Sequence, residues 1–187
     1  MFKVYRKLPK EYALTHTIDS KHVKELLFIY ALTIITLLSL FIGFLFLRDS
    51  YYLYPHQIYY GLGLALLYFL VLQIMHLILF KFKNRVKIKL SPYGVSSLIG
   101  AAGIYYPKTH YLIIRIFPFI LNSTIITPFM FTQDRYWFLI LYILYAFHFI
   151  FNIGNLYVFI KVLLLPKDVL IEDLGKAIRF FTPKNNE

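Results

Sequence analysis

The sequence has no cysteine. Disulfides, thiolate metal sites and thiol nucleophiles are therefore excluded. Acidic residues are scarce: nine Asp and Glu stand against twenty Lys and Arg in 187 residues, a formal net charge of +11. No carboxylate pair falls inside the long apolar stretches, so acid–base catalysis by two buried carboxylates has no candidates there. Gly-x-Ser-x-Gly and phosphate-cradling Gly-rich loops are also missing. Ser96-Ser97 has no evident base beside it, which argues against a serine hydrolase.

Apolar surface is what the chain has in excess. Hydrophobic residues make up 59% and aromatic residues 20% of it, with a mean hydropathy of +0.64. Apolar runs of eighteen or more residues read as membrane-spanning helices, so one compact membrane domain is expected. In a soluble protein the basic excess would suggest nucleic acid. No RNP, zinc-finger or helix-turn-helix pattern supports that here. The partner expected for the basic residues is the bilayer, with its anionic headgroups.

In chain order, residues 1–25 form a polar, basic segment with Leu8-Pro9-Lys10-Glu11-Tyr12 extended by its proline. Asp19 or Ser20 can cap the helix that follows. Spans are expected at about 26–47, 59–80, 111–131 and 136–165. Residues 48–58 read as a short aromatic interfacial loop, and the third span is interrupted by Pro118 and Pro128. Gly43 and the Gly61-Leu62-Gly63 stretch permit close helix contact, while Thr33, Thr36 and Ser39 can bond back to their own helix. After the second span, Lys81, Lys83, Arg85, Lys87 and Lys89 alternate with mostly apolar residues. That period of two predicts a β-hairpin over 85–106, turning at Ser91-Pro92-Tyr93-Gly94, with Gly100 and Gly103 as breaks. Arg115 is expected to snorkel. Residues 166–187 read as a water-exposed tail whose Phe180 and Phe181 dock on the membrane.

Charge sets the expected topology. Six basic residues lie in the amino-terminal segment, and five lie within 81–89 with Lys108 beyond, while the two other loops hold one each. The positive-inside rule then gives an all-α membrane protein with four transmembrane helices, both termini in the cytosol and the hairpin between helices 2 and 3 on the cytoplasmic face.

Two polar stripes interrupt the apolar runs. Gln73 and His76 lie three residues apart on the second span. His148, Asn152 and Asn155 follow at i, i+4 and i+7 on the fourth. Side chains of this kind are costly in lipid unless they meet partners or a wet cavity. Facing each other, these five would form a polar cavity or ordinary interhelical hydrogen bonds.

The chain resembles a bacterial family of zincin-like membrane peptidases, distantly similar to site-2-type intramembrane metalloproteases. The resemblance is carried by Leu8–Tyr12 with Thr17-Ile18-Asp19, by the basic segment after the second span, and by Lys108 through Phe119. Asn152-Ile-Gly154-Asn155 and Pro166-Lys-Asp168 through Glu172-Asp173 complete it. It implies a bacterial cytoplasmic-membrane protein with a His-Glu-x-x-His zinc motif on the second span. The matching positions here are Leu72, Gln73, Ile74, Met75 and His76, and the later acidic ligand falls at Asn155. Leucine cannot hold zinc, and glutamine cannot take a proton from water. The expectation is therefore a zincin-like fold without catalytic residues or a cofactor, binding a membrane peptide or protein partner. Two alternatives stand beside it: an atypical metallopeptidase that holds zinc through His76 and His148, and an immunity or small transporter-like factor whose polar stripe lines a path.

Overall fold

The computed structural model describes residues 4–19, 23–81, 87–90, 99–131 and 134–184. Among them are four helices long and apolar enough to cross a membrane. These are α1 (Val23–Phe46), α3 (His56–Lys81), α4 (Lys108–Phe129) and α5 (Arg135–Leu163), with a short α2 (Arg48–Leu53) after α1. Lipid offers the backbone no hydrogen bonds, so apolar sequence of this length closes its bonds internally as helix. Thr33, Thr36 and Ser39 donate to the carbonyls of Ile29, Leu32 and Ile35, each at 2.9 Å, as expected.

Helix α5 is the axis of the bundle, with α3, α4 and α1 all packing along it. Glycines set two of these approaches. Tyr142 of α5 fills the space where Gly43 lacks a side chain, and a Cβ at Gly61 would come 2.8 Å from Ile143. Asp134 caps α5 by accepting from the Tyr136 amide at 2.8 Å. At the other end, the Lys108 ammonium donates to the carbonyls of Leu163 and Leu165, a cation on the negative end of the helix. Residues expected as a loop after α1 instead form the α2 turn. Its Tyr51 is buried, stacks on Phe44 and donates to the Leu139 carbonyl at 3.3 Å. Burial, and next the neighbouring Tyr142, push the Tyr51 phenol up to about 12.

The structure is mostly helical, as expected, but it holds more sheet than the one expected hairpin. A four-stranded antiparallel sheet in the order β1-β6-β5-β4 joins the two ends of the chain. Its strands are β1 (Tyr12–Asp19), β4 (Tyr105–Pro107), β5 (Leu170–Asp173) and β6 (Ala177–Pro183). The carboxy-terminal segment is thus the centre of a sheet, not an exposed tail. Phe180 and Phe181 are buried, and so are Glu172 and Asp173. Their charges made the segment look solvated, but both carboxylates meet partners within the fold. Gly175, at φ +79°, turns β5 into β6. The stretch expected to be extended at Leu8–Tyr12 contains a turn closed by the Tyr12 amide on the Pro9 carbonyl. Ser20, one of the two expected helix caps, lies outside the described residues.

The expected hairpin is present in its strands. β2 (Lys87–Leu90) pairs with β3 (Ile99–Ala102) in antiparallel register, Lys87 opposite Ala102 and Leu90 opposite Ile99. Its turn at Ser91–Gly94 lies outside the described residues. The chain then leaves the hairpin at Gly103, whose φ is +74°, and Tyr105 and Tyr106 join the larger sheet instead. Gly100 is no break. It sits inside β3, against the backbone of Leu174 and Gly175, where a side chain has no room.

The main core lies where helix ends meet the sheet. Phe80, Tyr111, Ile114, Tyr157, Val158 and Val162 pack there against Ile18, Ile99, Ile171, Ile178 and Phe180. This junction holds the candidate site.

Candidate functional site

Helix α3 turns one stripe inward: Gln57, Gly61, Ala65, Tyr68, Leu72, His76 and Phe80 are its buried residues. The spacing of three and four residues is that of one helix face. Gln73 flanks this stripe and is only half-buried. Leu72 is wholly buried and packs with Tyr68 and Ile126. His76 is also wholly buried, and its Nδ1–H donates to the Leu72 carbonyl at 2.9 Å. Its Nε2 and the Gln73 Oε1 are buried with no hydrogen-bond partner among the described residues.

The stripe on α5 meets partners on α3 and α4. The His148 Nδ1 lies 2.6 Å from the Tyr68 hydroxyl, and its Nε2 lies 2.8 Å from the Ser123 hydroxyl. Either tautomer satisfies both contacts, so neither ring nitrogen is free. Phe119 stacks on the same ring at 4.9 Å. Asn152 donates to Tyr68 at 3.2 Å, and Asn155 donates to Asn152 at 3.5 Å.

His148 and His76 are therefore not brought together. His148 is held at the level of Tyr68, which precedes His76 by two helical turns, about 12 Å of axis. Tyrosine in a helix leans further toward the amino terminus. Zinc nitrogens sit only about 2.0–2.1 Å from the metal. One ion cannot be shared by these two rings.

Asn155 lies at the other end of the chain of contacts, beside Arg115, which does not snorkel as expected. Arg115 is buried, 1% exposed. Its guanidinium donates to the Asn155 Oδ1 at 2.9 Å and to the Tyr111 hydroxyl at 2.9 Å, and it forms an ion pair with Asp173 of β5. The Tyr111 hydroxyl donates to the same carboxylate at 2.6 Å. The other Asp173 oxygen accepts from the Gly175 amide at 2.8 Å. Rings of Tyr111 and Phe80 lie 5.0 and 5.7 Å from the guanidinium carbon. Tyr106 sits beside this cluster and donates to the Phe80 carbonyl at 3.1 Å. Burial, and then the Asp173 charge, push its phenol well above the usual range.

Tyr68 was legible as the next step of the Leu72/His76 stripe, but tyrosines are common in this sequence and it did not stand out. Removing its hydroxyl leaves the His148 Nδ1 without its partner and takes one of two acceptors from the Asn152 amide, which keeps the His148 carbonyl at 2.8 Å. Tyr68→Phe is expected to lower stability by about 1–3 kcal/mol, read as a drop in thermal midpoint in detergent. A change below about 0.5 kcal/mol, the scale of ordinary surface substitutions, would mean that the network is not under strain to stay paired.

A family model described as putative zincin peptidase matches residues 64–170. The chain belongs to this family. No curated protein and no solved structure matches it. The match begins on α3 just before Tyr68 and ends at the first residue of β5, so it takes in α4 and most of the polar network.

The family description implies zinc, and the residues here do not fit it. A catalytic zinc takes three His, Cys or carboxylate ligands around an open position. Among the described residues no three His, Cys, Asp or Glu come together in that way. His76 offers one bare nitrogen. Leu72, a turn before it, is packed in hydrocarbon, and Asn155 is engaged by Arg115.

Proposed function

We propose that this member of the zincin-like family is an integral membrane protein that has lost zinc-dependent peptide hydrolysis and keeps the fold for binding a membrane peptide or protein partner. The observation that carries the reading is the state of the positions the resemblance assigns to zinc. Leu72 is buried among apolar groups and Asn155 gives its oxygen to a guanidinium. Gln73, at the position of the general base, has no basic lone pair to take a proton from water. Binding is what remains available to such a fold. β3 is buried against β5, while β2 pairs with β3 alone among the described residues, so the outer side of β2 is the edge to which an extended peptide can add.

Four spans with both termini in the cytosol belong to the same proposal. The pairing of β1 with β6 supports it, since it puts the two ends of the chain on one side of the bundle. The basic excess near that side favours the cytoplasmic face of the cell membrane.

The test is metal content of protein purified in mild detergent, wild type beside His76→Ala. No stoichiometric zinc is expected in either. About one zinc per chain in the wild type, lost with His76→Ala, would restore a metallopeptidase reading. Photocrosslinking from the β2–β3 hairpin is expected to capture a peptide or protein, and capture of lipid alone would count against the binding role.

A further inference from the structure

Accepting that this site no longer holds zinc, the geometry points to Arg115 as its resident cation: the guanidinium engages Asn155, neutralises Asp173 and thereby excludes a divalent metal. The charges at the junction explain why. Asp173 is 0% exposed and Arg115 is 1% exposed, and they pair directly. Among the described residues, Asn155 and Tyr111 also accept from the guanidinium, and neither side chain carries a formal charge. Among the described residues the Arg115–Asp173 pair is thus balanced before any metal arrives. A divalent ion would add two positive charges to a site whose carboxylate is already spoken for, in surroundings where an uncompensated charge is very costly.

The same contacts give the cation a structural role that a metal ion often fills. Arg115 comes from α4, Asn155 from α5, Asp173 from β5, and Phe80 of α3 lies against the guanidinium. One planar group with five donors ties three helices to the sheet. It does so with no exchangeable ligand, so the junction needs no metal supply.

The experiment uses three variants of the full chain in detergent: Arg115→Ala, Asp173→Asn, and both together. Arg115→Ala strands a buried carboxylate, and its thermal midpoint is expected to fall by about 10 °C. The double variant removes the carboxylate charge as well and is expected to recover at least half of that loss. Zinc alone is the probe. It is expected to leave the wild type unchanged and to raise the midpoint of Arg115→Ala. That rise should vanish in the double variant and in Arg115→Ala/His76→Ala. If Arg115→Ala does not fold, the double variant still decides, because a neutral pair should fold where the lone carboxylate does not.

Two results overturn the inference while leaving the loss of hydrolysis intact. One is a double variant no more stable than Arg115→Ala. The other is an Arg115→Ala protein that folds and takes no more zinc than the wild type. A wild type that binds zinc through His76 instead sinks both readings.

Discussion

Asp173→Asn is expected to destabilise the protein by about 3–5 kcal/mol, because it leaves the Arg115 guanidinium buried with a neutral partner. The asparagine keeps the shape and can still accept from the Gly175 amide, so lost packing would not explain the effect. The large cost comes from asymmetry. Forming a buried pair contributes little net stability, since both ions are stripped of water. Breaking one strands a charge. Arg179→Ala is the control on the same sheet. That guanidinium is 46% exposed and stands 3.5 Å from Glu172, and Glu172 keeps the Gly103 amide as a donor without it, so its loss should cost only about 0–1 kcal/mol. Thermal or chemical unfolding in detergent measures both. Equal effects from the two substitutions would mean that water reaches Arg115, contrary to its burial.

The second large effect is expected at Phe180→Ala, at about 3–5 kcal/mol. Phe180 is 1% exposed at the centre of β6 and stacks on His16 of β1 at 5.9 Å. It packs with Ile18, Ile171 and Ile178 and with the ends of α3, α4 and α5. Removing the ring leaves a cavity at the junction that holds the sheet on the bundle. Were the carboxy-terminal segment an exposed tail, the same substitution would fall within about 0.5 kcal/mol. Unfolding measurements separate these outcomes directly. Proteolysis offers a second reading, since loosening β6 should expose cleavage sites after the Lys and Arg residues of 167–184 at a protease dose that spares the wild type.

Some of this architecture was legible because its causes are local. A helix in lipid is dictated by a run of apolar residues, and the hydroxyls of Thr33, Thr36 and Ser39 find their acceptors four residues back in the same helix. The β2–β3 pair follows from a period-two alternation within one short stretch. His148, Asn152 and Asn155 announce one face through spacing alone, and all three are buried on α5. At the positions the resemblance assigns to the zinc motif, Leu72 and Gln73 can be read directly in place of His and Glu.

Other features depend on residues that are distant in the chain. The sheet pairs β1 with β6 across almost the whole sequence, and no local pattern says which strand a segment such as Leu170–Asp173 will join. Arg115 looked like a snorkelling residue because its counter-charge lies 58 positions away. Glu172 and Asp173 looked solvated for the same reason. The five polar side chains expected to face one another are also divided by depth, as side-chain reach and helix register place His148 with Tyr68 and Ser123, and Asn155 with Arg115. Residue types established a bundle of helices long and apolar enough to cross a membrane. Long-range packing determined that a guanidinium ties that bundle to the sheet, because a buried charge takes whichever partner the folded chain brings within reach.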